Sequence, residues 1–206
     1  MTGPPSRFAI PSRYHRVEEV IQKSRFITVA RHARDAETAR SFVEEMRQEF
    51  PDATHHCWAF VAGPPGDSAS IGMSDDGEPH GTAGRPMLNA LLHSGVGEIV
   101  AVCIRYYGGT KLGTGGLTRA YSGGVKLLLE SLPTKEKVDR VTLRIVVDYS
   151  ATDSLGRLLA DAEGVIEAQE FGERVETRAS VPRSQVQAIS EGVAGLTRGQ
   201  GVVSRV

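Results

Sequence analysis

EIVAVCIRYYGGTKLGTGGLTRAYSGG, residues Glu98–Gly124, holds a strand, a loop and a helix start in one run. Its apolar residues from Ile99 to Ile104 continue without alternation, as in a strand buried on both faces. Five glycines then fall between Gly108 and Gly116, flanked by Lys111 and Arg119. The apolar spacing after them predicts a helix from about Leu117 to Glu130. A strand that feeds a helix through a glycine turn marks an α/β unit.

Upstream, strand and helix patterns alternate. SRFITVARHA (24–33) reads as a strand. DAETARSFVEEMRQEF (35–50) opens on Asp35 as an N-cap and places Ala36, Ala39, Phe42, Val43 and Met46 on one helical face, before Pro51 stops it. ATHHCWAFVAG (53–63) reads as a strand with SASIGMS as its hairpin partner across Gly63–Gly66. SDDGEPHGTAGRP (74–86) is a loop, and Pro86 suits the first turn of a helix that ends near Gly95. SLPTKEKVDR (131–140) is short, charged and contains a proline, so it reads as a linker. Beyond it the order is βαββαβ in about 70 residues, which predicts a ferredoxin-like sandwich. In that part Ser150 with Asp153 and Ser184 with Gln187 have capping-box spacing. The expected architecture is therefore α/β (α+β) in two domains, 1–134 and 135–206.

With 206 residues, 40% of them hydrophobic, the chain is long enough for two real cores. No apolar run reaches the length of a membrane span, and the first residues lack the apolar centre of a signal peptide, so a cytoplasmic location is the expectation. Net charge is −1. Basic and acidic residues balance on both sides of residue 136, so a nucleic-acid role has to rest on a local patch. Cys57 and Cys103 lie in separate apolar runs and read as buried hydrophobes. His55, His56 and Cys57 lack the further ligands that a metal site needs. No catalytic set, metal or cofactor is expected, and an enzyme is the less favoured class.

The glycine loop is neither a Walker loop, because no Gly-Lys-Ser/Thr ends it, nor a dinucleotide fingerprint. Its chemistry is that of exposed N–H groups at a helix start, which favours anions. Arg119, read as lying in the first helical turn, opposes the helix dipole by a few tenths to about 1 kcal/mol unless something negative is near. The candidate anion or nucleic-acid site comprises Arg105, Tyr106, Tyr107, Gly108, Gly109, Lys111, Gly113, Gly115, Gly116 and Arg119, the tyrosines offering a stacking surface. Asp75, Asp76, Glu78 and Arg85 of the other loop form a second candidate contact. The three carboxylates also offer an internal alternative, in which they sit opposite Lys111 and Arg119 and close the charges within the protein. Gly123 and Gly124 in the helix interior point to close packing of helix on sheet.

KSRFITVA, DATHHCWAF, SDDGEPHGTAGRPML and IRYYGGTKLGTGGLTRAYSGGV, in this order and spacing, resemble the YigZ/IMPACT family. The resemblance covers about residues 18–130, and the C-terminal module resembles the extra domain of bacterial members. It implies an N-terminal domain of the type seen in domain IV of elongation factor G and in GHMP kinases, and a C-terminal domain like domain V of that factor. It further implies a translation-associated regulatory or binding protein whose partners are RNA, the ribosome or a translation-related protein. The alternative is a phosphate-metabolite or nucleotide-binding enzyme that uses the same loop as its anion site; a protein interface, such as a dimer contact, is a third reading.

Overall fold

The computed structural model describes residues 6–206. They divide into two compact units, one up to Lys137 and one from Val138 to Val206. Within the first unit the chain runs β1(Arg7–Pro11), β2(His15–Ile21), β3(Ser24–His32), α1(Ala36–Glu49), β4(His55–Val61), β5(Ile71–Ser74), α2(Gly84–Leu92), β6(Ile99–Tyr106), α3(Gly113–Ser131) and β7(Thr134–Val138). Five strands form one sheet in the order β2-β3-β6-β4-β5, and every neighbouring pair is antiparallel.

The central strand β6 is buried along its length up to Arg105, as its unbroken apolar run predicts. Because side chains alternate across a strand, one set faces each way. Ile27, Val29, Phe60, Val100, Val102 and Ile104 meet the Phe42, Val43 and Met46 stripe of α1. Phe26, Ala30, Cys57, Ala59, Ala101 and Cys103 lie in the core shared with α2 and α3. Each fully buried large apolar side chain contributes about 1.5–3 kcal/mol, so the sheet is held from both faces. Asp35 caps α1 as its position predicts, accepting from the Thr38 backbone N at 2.7 Å and the Thr38 hydroxyl at 2.6 Å. Hydrogen bonding to Thr38 holds its carboxyl below the usual range.

The second unit runs β8(Arg140–Val147), a 3-10 turn, α4(Thr152–Asp161), β9(Val165–Phe171), β10(Val175–Pro182), a second 3-10 turn, α5(Val186–Leu196) and β11(Val202–Arg205). Its antiparallel sheet has the order β11-β8-β10-β9, the arrangement of a ferredoxin-like sandwich. Leu143, Ile145, Val147, Ala179 and Val181 of the sheet pack with Leu155, Leu159, Ile189 and Val193 of the two helices.

Several local expectations are corrected. The segment read as a linker contains β7, which pairs with β1 in a two-stranded sheet; its charges are those of an exposed strand, with Glu136 bridged to Arg7 at 3.1 Å. Helix α3 starts at Gly113 rather than near Leu117, so Gly115 and Gly116 are helical and Arg119 lies in the second turn, where the dipole argument loses most of its force. The two capping boxes do not form: the 3-10 turns Tyr149–Ala151 and Arg183–Gln185 lead into α4 and α5, and neither helix has a side-chain cap. Gln187 bonds instead to Glu191 at 2.9 Å.

Gly124 of α3 lies against β3, where an added Cβ would stand 2.5 Å from Thr28 Oγ1. The neighbouring Gly123 has nothing within 4 Å of that position. Gly124→Ala should therefore lower stability in urea by about 1–3 kcal/mol through overpacking, while Gly123→Ala should raise it by up to about 1 kcal/mol through helix propensity.

Candidate functional site

Strand register gathers both loops at one edge of the five-stranded sheet. Arg105 pairs with Phe26 on one side and His55 on the other, so the end of β6, the start of β3, the start of β4 and the end of β5 lie together. The acidic loop leaves β5 and enters α2; the glycine loop leaves β6 and enters α3.

Each carboxylate of the acidic loop has a task inside the fold. Asp75 Oδ1 accepts the backbone N–H of Ala83 at 3.0 Å and of Gly84 at 2.8 Å, and Oδ2 accepts that of Gly81 at 2.8 Å. It thus caps α2, whose own N-cap residue, Ala83, has no side chain able to do so. Burial alone would raise the Asp75 carboxyl, but these backbone donors outweigh it and hold the group below the usual range. Asp76 bridges Arg47 at 2.9 Å, accepts the His56 backbone N–H at 2.6 Å, and receives the Nδ1 proton of His55 on its carbonyl at 2.8 Å.

Glu78 is buried at 8% exposure and Arg105 at 4%. Glu78 Oε1 accepts from Arg105 Nη1 at 2.5 Å and from the Tyr121 hydroxyl at 2.6 Å. The other terminal nitrogen of Arg105 donates to Ser24 Oγ at 3.3 Å, and the same oxygen accepts the Gly108 N–H at 3.2 Å. The guanidinium carbon lies 5.3 Å from the Phe26 ring centre and 5.5 Å from that of Tyr107. Arg105, grouped with the anion contacts on sequence grounds, therefore has its charge met by Glu78. Burial raises the Tyr121 hydroxyl strongly, so it stays protonated as a donor. Burial likewise raises the Cys57 thiol and pushes that of Cys103 up to about 12, which leaves both without thiolate character near neutrality.

Three glycines of the loop serve the fold. A Cβ on Gly108 would stand 2.0 Å from the carbonyl carbon and oxygen of Lys23, in the two-residue β2–β3 turn where Gln22 and Lys23 both have positive φ. Gly109 and Gly113 have φ of 82° and 71°, the left-handed region that favours glycine. Gly115 meets only the Arg119 side chain at 3.6 Å.

The internal closure of Lys111 and Arg119 by the acidic loop does not occur. Neither side chain makes an ion pair among the described residues, and Asp75, Asp76 and Glu78 are occupied as above. Lys111, Gly113, Arg105, Tyr107 and Glu78 line one cavity of about 350 Å³. Arg119 and Gly116 line a smaller one of about 200 Å³ beside β2. Arg85 stands apart, in the groove of about 860 Å³ between α2 and α3. Tyr106 packs at the edge of the α1 core with Arg25 5.6 Å from its ring centre, so only Tyr107, 47% exposed, offers a ring face outward. Sequence reasoning left out Ser24 and Tyr121. Their place in the motifs KSRF and RAYSGG was the available sign, but a serine and a helical tyrosine carry no pattern of their own.

Residues 22–129 match the family model of the Impact N-terminal domain, and residues 145–200 match a domain of unknown function, DUF1949. The chain is 46% identical over 190 residues to "IMPACT family member YigZ" of Escherichia coli (strain K12), covering 92% of this chain and 93% of the relative. It is 41% identical over 198 residues to an IMPACT family member of Haemophilus influenzae, covering 96% of each. A crystal structure described as that of a hypothetical protein shares 44% identity and a TM-score of 0.70, with 98% of each chain covered.

The Glu78 network predicts that Glu78→Gln lowers the free energy of unfolding by about 3–5 kcal/mol, since it leaves a buried guanidinium without its counter-charge; chemical denaturation measures this. The Asp75 cap predicts a pH effect of definite sign. Its folded-state pKa is depressed, so its contribution is present above the unfolded value of about 3.9 and is lost as pH falls through the folded value. Thermal melts between pH 6 and 3 should show a steeper acid decline in wild type than in Asp75→Asn, and a lower melting temperature for the variant at pH 6.

Proposed function

The chain belongs to the IMPACT family, and from that premise and the site's geometry we propose that it is a translation-associated binding protein that holds RNA at the glycine loop. The observation that carries this reading is the division of labour between the loops. Every carboxylate of the acidic loop is spent on the fold, while Lys111 and Arg119 keep their charge without an ion pair among the described residues. Between them stands the start of α3, with no side-chain cap and no acidic residue in its first turn. Helix N–H groups left without partners attract phosphate oxygens, and the exposed Tyr107 ring supplies a face on which a base can stack.

The translation setting rests on what the family resemblance implies, namely units of the kind found as domains IV and V of elongation factor G. The partner is then RNA of the ribosome or bound to it. An overall charge of −1 means that attraction is local to this edge of the sheet. A second reading, a phosphate-metabolite enzyme, draws on the open cavity of about 350 Å³. It has less behind it, because the one carboxylate lining that cavity, Glu78, is tied to Arg105 and Tyr121 and is poorly placed as a base.

Titration of short single-stranded RNA across a salt series tests the reading. Wild type should bind with salt-sensitive affinity, and Lys111→Ala/Arg119→Ala should weaken it and flatten the log–log salt slope by about 1.4, the value for two lost phosphate contacts on a single strand. An unchanged affinity and slope would remove this loop from RNA binding.

A further inference from the structure

We infer that the cavity bounded by Arg105, Tyr107, Lys111 and the first turn of α3 takes a phosphomonoester, so that the chain reads a phosphorylated 5′ nucleotide rather than an internal stretch of backbone. This rests on the RNA reading above and narrows it.

Three independent donors surround the cavity. Lys111 supplies a cation without an ion pair among the described residues. Gly113 and Thr114 supply the uncapped start of a 19-residue helix. Arg105 supplies the third: it is 4% exposed and lines the cavity, and its Nε is a buried donor with no acceptor. Its two other nitrogens are engaged by Glu78 and Ser24. A buried N–H left unmade is costly, and the protein supplies no oxygen for it. Tyr107, half exposed and 5.5 Å from the guanidinium carbon, makes no side-chain hydroxyl hydrogen bond among the described residues. It lines the same cavity, so a ligand oxygen would reach the buried Nε by displacing this ring.

Charge and size select the ligand. Arg105 and Glu78 cancel, so Lys111 and the helix end leave about +1.5. A phosphodiester brings one negative charge, whereas a phosphomonoester brings about 1.5 to 2 at neutral pH. The monoester is the better match. A volume of about 350 Å³ lies at the lower end of small-ligand pockets, roughly 300–1,000 Å³, and suits one nucleotide. Apolar Leu112, Leu117 and Pro79 complete the lining and suit its sugar and base.

Calorimetry with the full chain tests this, using one short RNA in 5′-phosphorylated and 5′-hydroxyl forms together with adenosine 5′-monophosphate. The phosphorylated RNA should bind about tenfold or more tightly than the hydroxyl form. That preference should vanish in Lys111→Ala and in Thr114→Glu, which places a carboxylate where the phosphate sits. Thr114→Glu should melt at or above the wild-type temperature, because an acidic residue in the first turn complements the helix dipole, so its loss of binding is not a loss of folding. Tight binding of the free nucleotide alone supports the same site with a metabolite as its source. Equal binding of both RNAs, or a preference that survives Thr114→Glu, overturns the inference and leaves the RNA reading standing. Binding of neither RNA nor nucleotide overturns both.

Discussion

The pair formed by Arg105 and Glu78 is the constraint on which this edge of the molecule depends. Arg105 ends the central strand, Glu78 belongs to the acidic loop, Tyr121 to α3 and Ser24 to the start of β3, and a continuous set of hydrogen bonds joins all four. Taking two charges out of water is expensive, and their attraction repays the cost only where the remaining hydrogen-bonding groups are satisfied. Here Tyr121 bonds to Glu78 and Ser24 to one arm of Arg105, which leaves Nε as the one buried donor of the pair without an acceptor, and the Phe26 ring closes one side of the guanidinium. Ser24 Oγ then carries the connection to Gly108, so the glycine loop is positioned by the same network that holds the acidic one.

From this follows the separation between structural and available charge. Asp75 caps α2, Asp76 ties β4 to Arg47 of α1, and Glu78 neutralises Arg105. The acidic loop is thereby a scaffold. The glycine loop, fixed at Gly108 against the Lys23 carbonyl, delivers Lys111 and the start of α3 to a cavity with no anion of their own to meet. Chemistry at the Lys111 cavity is directed toward negative ligands by the internal commitment of the acidic loop's Asp75, Asp76 and Glu78.

Much of this was legible in the sequence, and the misses have physical causes. The unbroken apolar run of β6, the Phe42–Met46 stripe of α1 and the βαββαβ order of the second unit are periodic patterns, and the structure bears them out. The start of α3 was read four residues late because glycines weaken helix propensity, although the backbone remains helical from Gly113. Strand β7 was hidden because an exposed strand in a two-stranded sheet has charged residues and no apolar alternation. The two loops were recognised as the candidate site and their facing each other was weighed, but with Lys111 and Arg119 as the paired cations, whereas the pair formed is Arg105 with Glu78. Which carboxylate meets which cation depends on strand register, and register brings Arg105 opposite His55 and Phe26 in a way that linear spacing does not reveal. Glycine was also ambiguous: Gly108 answers to an internal close approach, while Gly115 meets only the Arg119 side chain, at ordinary contact distance.

The most direct test of the central claim is amide chemical-shift mapping during titration with a short single-stranded RNA. The account predicts that the amides of Gly113, Thr114 and Gly115 move with RNA concentration, while those of Gly81, Ala83 and Gly84, already bonded to Asp75, stay in place. Shifts confined to the Asp75-capped turn or to the α2–α3 groove around Arg85, with Gly113 to Gly115 unmoved, would contradict it.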